Sequence, residues 1–283
     1  MIVARTRAEL AQALASLHRP GRRLGFVPTM GYLHEGHLSL VDAARERADV
    51  VAASIFVNPL QFGPCEDLAS YPRDAARDLV MLEMRGANLV FLPRVEEMYP
   101  EGRPAVTVDP GPLGELLEGA HRPGHFRGVL TVVAKLFGLL RPDVAVFGRK
   151  DFQQLVLIER MTRELDLGVE IVGGATVREG DGLAMSSRNS YLSPEERAAA
   201  PRLAEGLMDA AARFREGERG AAALLEPVRA ALAGSPLLRL QYVEVVDPRA
   251  LAPVDPVPPG AVIALAAFCG RTRLIDNVVL EAS

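Results

Sequence analysis

Short apolar runs that recur between amphipathic stretches constrain this chain most. Leu24–Pro28, Val50–Val57, Leu89–Leu92, Val144–Phe147 and Val169–Val172 each read as a buried strand. Between them, Gly36–Arg47, residues 73–86, residues 126–140 and Phe152–Leu165 carry helical periodicity. Thr6 is placed to cap a further helix over Arg7–Leu17. Near-continuous apolar strands separated by helices are what a parallel sheet covered on both faces requires. The expected fold is therefore α/β, a Rossmann-like doubly wound parallel sheet. Beyond about residue 176 the texture changes. Residues 194–233 are rich in Ala, Leu and Arg with helical spacing, followed by strand-like runs at Leu238–Val246, Val262–Phe268 and Asn277–Leu280. Helices followed by clustered strands predict a smaller α+β unit, so the domains are expected at 1–175 and 176–283.

The charge balance narrows the function classes. A formal net charge of −4 argues against a non-specific nucleic-acid binder. The chain opens MIVARTRAEL, which does not read as a signal peptide, and no apolar run reaches the roughly 18 residues of a membrane span. Its two cysteines, Cys65 and Cys269, form no zinc-spaced cluster, so a reduced cytoplasmic protein is expected. Of 32 Lys plus Arg residues only Lys135 and Lys150 are lysine. A compact ammonium and a planar guanidinium are not interchangeable at a phosphate, which singles both out. Lys135, in a helical run, reads as a surface or snorkelling side chain.

Four segments carry chemistry. Val27-Pro-Thr-Met-Gly-Tyr-Leu-His-Glu-Gly-His37 leaves a predicted strand and enters a predicted helix, the place where α/β sheets bind phosphate. His34 and His37 share a face of the first turn, and Gly36 permits close approach of a phosphate to the backbone. The spacing is not HExxH and the turn is not GxGxxG. Phe147-Gly-Arg-Lys-Asp-Phe-Gln-Gln154 also follows a strand. There Lys150 offers charge, Asp151 a ribose acceptor, and Gln153 or Gln154 an amide for a polar substrate; an exposed turn with Asp151 as helix cap fits equally. Met185-Ser-Ser-Arg-Asn-Ser190 offers hydroxyl donors beside Arg188, although a polar linker would look the same. Asn58-Pro-Leu-Gln-Phe-Gly63 places amides at a strand end, or is simply a turn.

Taken in order, PTMGYLHEGH, NPLQFG, HFRGV, FGRKDFQQ and DGLAMSSRN resemble the pantothenate synthetase family of the HxGH nucleotidyltransferase superfamily, over about residues 24–192. The resemblance implies ATP-dependent condensation of (R)-pantoate with β-alanine through pantoyl adenylate, releasing AMP and pyrophosphate. By motif match it implies His34, His37 and Lys150 on the ATP phosphates, with His37 the favoured proton donor. Met30, Gly148, Asp151, Val177 and Met185 would line the nucleoside site, Ser186, Ser187 and Arg188 would form a mobile phosphate loop, and Gln61 and Gln154 would hold pantoate. It further implies Mg²⁺ on the phosphates, with Asp78 a weak candidate carboxylate beside it, and a cytoplasmic homodimer using only small-molecule substrates. Cys65, where Asn is expected, and Arg149, at a variable position, depart from the pattern without removing a required group. The rival readings are a sister nucleotidyltransferase with another acceptor, a nucleotide-binding module without catalysis, and a zinc hydrolase.

Overall fold

The computed structural model describes all residues except His18, Cys65 and Ser283, so the Cys65 substitution lies outside the described residues. By its contacts the chain divides into two compact units. The first comprises Met1–Glu115, Gly119–Arg149 and Leu157–Ala175; the second comprises Leu116–Glu118, Lys150–Val156 and Thr176–Ser283.

The first unit holds a six-stranded, all-parallel sheet. Its strands are β1 (Ile2–Ala4), β2 (Leu24–Thr29), β3 (Val50–Ile55), β4 (Leu89–Phe91), β5 (Val144–Gly148) and β6 (Glu170–Gly174), in the order β1-β4-β3-β2-β5-β6. The helices in chain order are α1 (Arg7–Leu17), α2 (Glu35–Arg45), α3 (Ala75–Met84), α4 (Val95–Met98), α5 (Glu118–His121), α6 (His125–Leu140) and α7 (Phe152–Glu164). Every residue of β3 is buried, as a central parallel strand flanked on both faces requires. Leu38, Val41 and Ala44 of α2 meet Val27, Val51 and Val90 in one apolar cluster. Thr6 caps α1 as expected: its Oγ1 accepts the Glu9 N–H at 3.1 Å while the Glu9 carboxylate accepts from the Thr6 and Arg5 N–H groups. Strand order reverses at β2, whose neighbours are β3 and β5. In an open α/β sheet the ligand crevice lies at the carboxyl ends of the strands flanking such a switch point.

The second unit holds an antiparallel sheet of β7 (Leu238–Val246), β8 (Val262–Cys269) and β9 (Thr272–Val279) in sequential order. Helices α8 (Pro194–Ala199), α9 (Arg202–Arg215) and α10 (Ala221–Ala233) belong to the same unit. Leu203, Leu207 and Phe214 of α9 and Leu224, Val228 and Leu232 of α10 share a core with Val245, Ile263 and Leu265. A Ser193–Glu196 capping box starts α8.

Two expectations are corrected. The three-residue edge strand β1 was not foreseen, because so short a run carries no periodicity. Strand β9 begins at Thr272, not Asn277, because Arg273, Asp276 and Asn277 interrupt the apolar pattern while being tied into the interior by hydrogen bonds and ion pairs. Among the described residues no helix is long and apolar enough to cross a membrane.

Candidate active site

In the first unit, the chain leaving β2 turns sharply before α2. Gly31 has φ 85°, and a Cβ there would come within 2.9 Å of Ile55 Cγ2 and 3.0 Å of an Asp78 oxygen, so the turn needs glycine. Tyr32 also takes the left-handed region, with φ 51°. Asp78, buried on α3, holds this turn: its carboxylate accepts the Tyr32 N–H at 2.7 Å and the Leu33 N–H at 2.8 Å. Burial pushes the Asp78 carboxyl above its ordinary value despite those two bonds.

The turn delivers His34 as N-cap of α2 and His37 in its first turn, with ring centroids 4.1 Å apart. The His34 backbone N–H donates to His37 Nδ1 at 3.4 Å. A nitrogen that accepts carries no proton, so in the neutral ring the proton sits on Nε2 and that atom is the donor. Backbone N–H groups at a helix start and imidazole donors beside them suit an anion.

Gln61 sits after β3 in a 3₁₀ turn, Pro59–Gln61. Its neighbour Asn58 is almost wholly buried, with all four hydrogen-bonding positions of its amide occupied. Nδ2 donates to Gln61 Oε1 at 3.0 Å and to Gly128 O at 3.1 Å; Oδ1 accepts from Leu60 N–H at 3.3 Å and Tyr99 O–H at 2.9 Å. Burial raises the Tyr99 hydroxyl far above its ordinary value, keeping it a donor. Gln61 Nε2 reaches Met30 Sδ at 3.1 Å, so residues from the ends of β2 and β3 meet. His125 Nδ1 lies 2.8 Å from Gln61 O. Helix α6 can approach because residue 128 is glycine: a Cβ there would lie 2.3 Å from Leu60 O. Gly148 closes β5, with open space where a Cβ would stand.

Lys135 is half-buried, as a snorkelling side chain is, and its Nζ lies 5.8 Å from the Tyr99 ring centroid, a cation–π contact.

In the second unit, Lys150 and Asp151 form the turn before α7, and Gln154 lies in its first turn. Gln153, read from sequence as a possible substrate contact, is buried; its Oε1 accepts the Glu118 N–H at 2.9 Å and its Nε2 donates to Leu116 O at 2.8 Å. It joins two chain segments. Residues 177–185 fold back on themselves through Met185 N–H to Val177 O (3.0 Å) and Glu179 N–H to Leu183 O (2.8 Å). Ser186 then caps the 3₁₀ turn Ser187–Tyr191, its Oγ accepting the Arg188 N–H at 3.2 Å. Ser187 is buried. Arg197 braces the fold-back through Glu179 and Asp181, each at 2.6 Å.

Sequence reasoning missed Tyr99, Glu118 and Asn277, which act through buried bonds between residues distant in the chain. His125 and Gly128 sat inside the HFRGV motif, where a helix-start histidine and a mid-helix glycine were the available signals. Among the described residues no group of three or more His, Cys, Asp or Glu side chains is arranged to hold a metal ion.

The sequence matches the family model described as Pantoate-beta-alanine ligase over residues 2–279. It is 55% identical over 277 residues to pantothenate synthetase 1 of Bradyrhizobium diazoefficiens, covering 98% of this chain and 97% of the relative. The fold superposes on the crystal structure of pantothenate synthetase from Thermus thermophilus with a TM-score of 0.93 at 49% identity, covering 99% of this chain and 100% of that one. It also superposes on the pantoate-beta-alanine ligase of Francisella tularensis complexed with beta-gamma ATP and beta-alanine, with a TM-score of 0.83 at 32% identity, covering 100% and 99%. With similarity running the length of the chain, in sequence and in fold, the protein belongs to the pantoate-beta-alanine ligase family, a family of ligases.

Proposed function

We propose that this ligase works in two steps on ATP, (R)-pantoate and β-alanine. Beta-gamma ATP and beta-alanine are the ligands named for the Francisella protein. In the first step a pantoate carboxylate oxygen attacks the α-phosphorus, the bond to the bridging oxygen breaks, and pyrophosphate leaves. In the second, the deprotonated β-alanine amine attacks the pantoyl carbonyl, AMP departs with the electron pair of the acyl–oxygen bond, and the nitrogen sheds a proton. The chemical logic is that a carboxylate is a poor electrophile, which adenylation converts into one with a good leaving group.

The observation that best supports this reading is the turn that presents His34 and His37 at the start of α2, after the strand where sheet order reverses. In this reading His37 Nε2–H and His34 donate to phosphate oxygens as charge moves toward the leaving group, and Lys150 neutralises phosphate charge. Ser186, Ser187 and Arg188 bind phosphate oxygens, the Ser186 hydroxyl donating outward while its oxygen accepts from Arg188 N–H. Met30, Gly148, Asp151, Val177 and Met185 contact the nucleoside. Gln61 and Gln154 hold pantoate; Gln61, with Oε1 and Nε2 each fixed by one protein partner, retains a second lone pair and a second N–H for the hydroxy acid. Mg²⁺ accompanies the ATP phosphates and keeps few protein ligands. Asp78 is 1% exposed and gives both carboxylate oxygens to the Tyr32 and Leu33 N–H groups, so it fits the role of holding the turn better than that of a carboxylate beside the ion. We assign the enzyme to the cytoplasm as a homodimer that binds neither nucleic acid nor membrane.

Product analysis tests the reading. With all three substrates, AMP and pyrophosphate should accumulate one for one with pantothenate. ADP and inorganic phosphate as the nucleotide products would overturn the adenylate route.

A further inference from the structure

Strand β9 carries Arg273, Asp276 and Asn277 in a strand whose Leu274 packs into the core. Asp276 is 3% exposed and Asn277 7%. Polar side chains so placed cost stability unless bonded, and each bond here leads to a segment assigned above to the reaction. Asn277 Nδ2 donates to the Lys150 carbonyl at 2.8 Å. Asp276 takes both Arg178 nitrogens, at 2.6 and 3.0 Å, and Arg178 also donates to Gly182 O at 3.1 Å, inside the fold-back that leads to Ser186–Arg188. Arg273 pairs with both Glu118 oxygens at 2.6 Å and with Gln241 Oε1 at 2.8 Å, and the Glu118 N–H donates to Gln153 Oε1 on α7. Gln241 lies where the β7–β8 register shifts, between Leu240 and Tyr242. A bulge of this kind re-aims a side chain.

We infer that Asn277 is a positioning residue for Lys150, fixing the main chain from which the ammonium reaches the phosphates. The inference rests on the reading of Lys150 given under Proposed function. Lys150 stands in the turn between β5 and α7, outside any strand pairing, and the first α7 bond from this turn is Leu155 N–H to Asp151 O. A side-chain amide aimed at the Lys150 carbonyl therefore sets the tilt of that peptide. The tilt is carried to the ammonium through a four-carbon stem that has freedom of its own, so an error at the backbone grows at the tip. Gln153, held through Glu118 by Arg273 of the same strand, fixes the segment one helical turn later. Asn277 is thus one of two anchors that β9 gives the segment Lys150–Val156, and it acts without touching a substrate.

A double-mutant cycle separates positioning from general support. Pantoate-dependent exchange of radiolabelled pyrophosphate into ATP is followed for the wild type, Asn277→Ala, Lys150→Ala and the double variant, with thermal midpoints alongside. Asn277→Ala should lower kcat by about 10-fold or more, the scale of a modest misplacement, with the KM for pantoate within about twofold. In the Lys150→Ala background the same substitution should cost less than about twofold, because the group it positions is gone. Equal losses in both backgrounds, or a kcat for Asn277→Ala near wild type, would overturn the inference and leave the Lys150 reading intact. Wild-type exchange in Lys150→Ala would instead remove Lys150 from the chemistry, and the inference with it. Should Asn277→Ala fail to fold, Asn277→Thr, whose β-branched side chain suits a strand but cannot reach the Lys150 carbonyl, runs the same cycle, and the same results support or overturn the inference.

Discussion

Gly128→Ala is the smallest change expected to unseat Gln61. A Cβ at residue 128 would lie 2.3 Å from Leu60 O, 2.5 Å from Leu60 C and 2.6 Å from Gln61 N. All three are backbone atoms, so no side chain can swing aside. A Cβ contact does not close below 3.0 Å, so α6 and the Pro59–Gln61 turn must part by at least about 0.7 Å. The Asn58–Gly128 bond, already 3.1 Å, and the contact of His125 with Gln61 O at 2.8 Å stretch together. Overpacking costs about 1–3 kcal/mol and each of the two weakened bonds adds about 1 kcal/mol, which gives about 3–5 kcal/mol in all. With Gln61 holding pantoate as proposed, a displacement of this size should cost about 10²-fold in rate. Urea unfolding reads the first quantity and kcat/KM for pantoate the second. Unfolding free energy within about 0.5 kcal/mol of wild type, together with kcat/KM within about twofold, would refute the steric reasoning.

Three charged or catalytic groups give further tests. Burial pushes the Glu66 carboxyl up, but hydrogen bonds and charge from Arg122, at 2.6 and 2.9 Å, win and hold it below its ordinary value. An acid with a depressed folded value contributes stability that is present above its unfolded value and lost as pH falls through the folded one. Glu66→Gln should therefore cost about 2 kcal/mol near neutral pH, with the gap to wild type closing below the ordinary value of 4.5; a gap independent of pH in acid denaturation curves would contradict this. His37→Ala should cut pyrophosphate release by about 10²-fold or more, the scale of one lost transition-state donor, and near-wild-type turnover would remove His37 from the mechanism. Arg273→Met leaves the Glu118 carboxylate, 9% exposed, without its cation. It should destabilise the fold by about 3 kcal/mol or more in denaturant unfolding, and a loss below about 0.5 kcal/mol would show the pair to be dispensable.

The parallel sheet was legible because its central strands are apolar on both faces, and a run such as Val50–Ile55 has few other uses. The turn that carries His34 and His37 into α2 was legible because histidines and glycines stood between a strand and a helix. What escaped were residues whose purpose is a bond to something far away in sequence. Gln153, one of two neighbouring glutamines that the sequence offers to a polar substrate, instead spans Glu118 and Leu116 with its amide. Asn277 looked like the first residue of a strand that in fact began at Thr272. Lys135 reads as a surface or snorkelling side chain, and its contact with the Tyr99 ring is the part that spacing does not reveal. Periodicity reports which face of an element is apolar; it does not report where a buried polar group finds its partner.

In the proposed route pantoate is activated as an adenylate before β-alanine enters. The most direct test is rapid-quench measurement of pyrophosphate release from ATP with pantoate present and β-alanine absent. A pantoate-dependent burst of about one equivalent per active site is predicted, since the adenylate has no amine to accept its acyl group. No release until β-alanine is added would contradict a discrete adenylate and require the three substrates to react together.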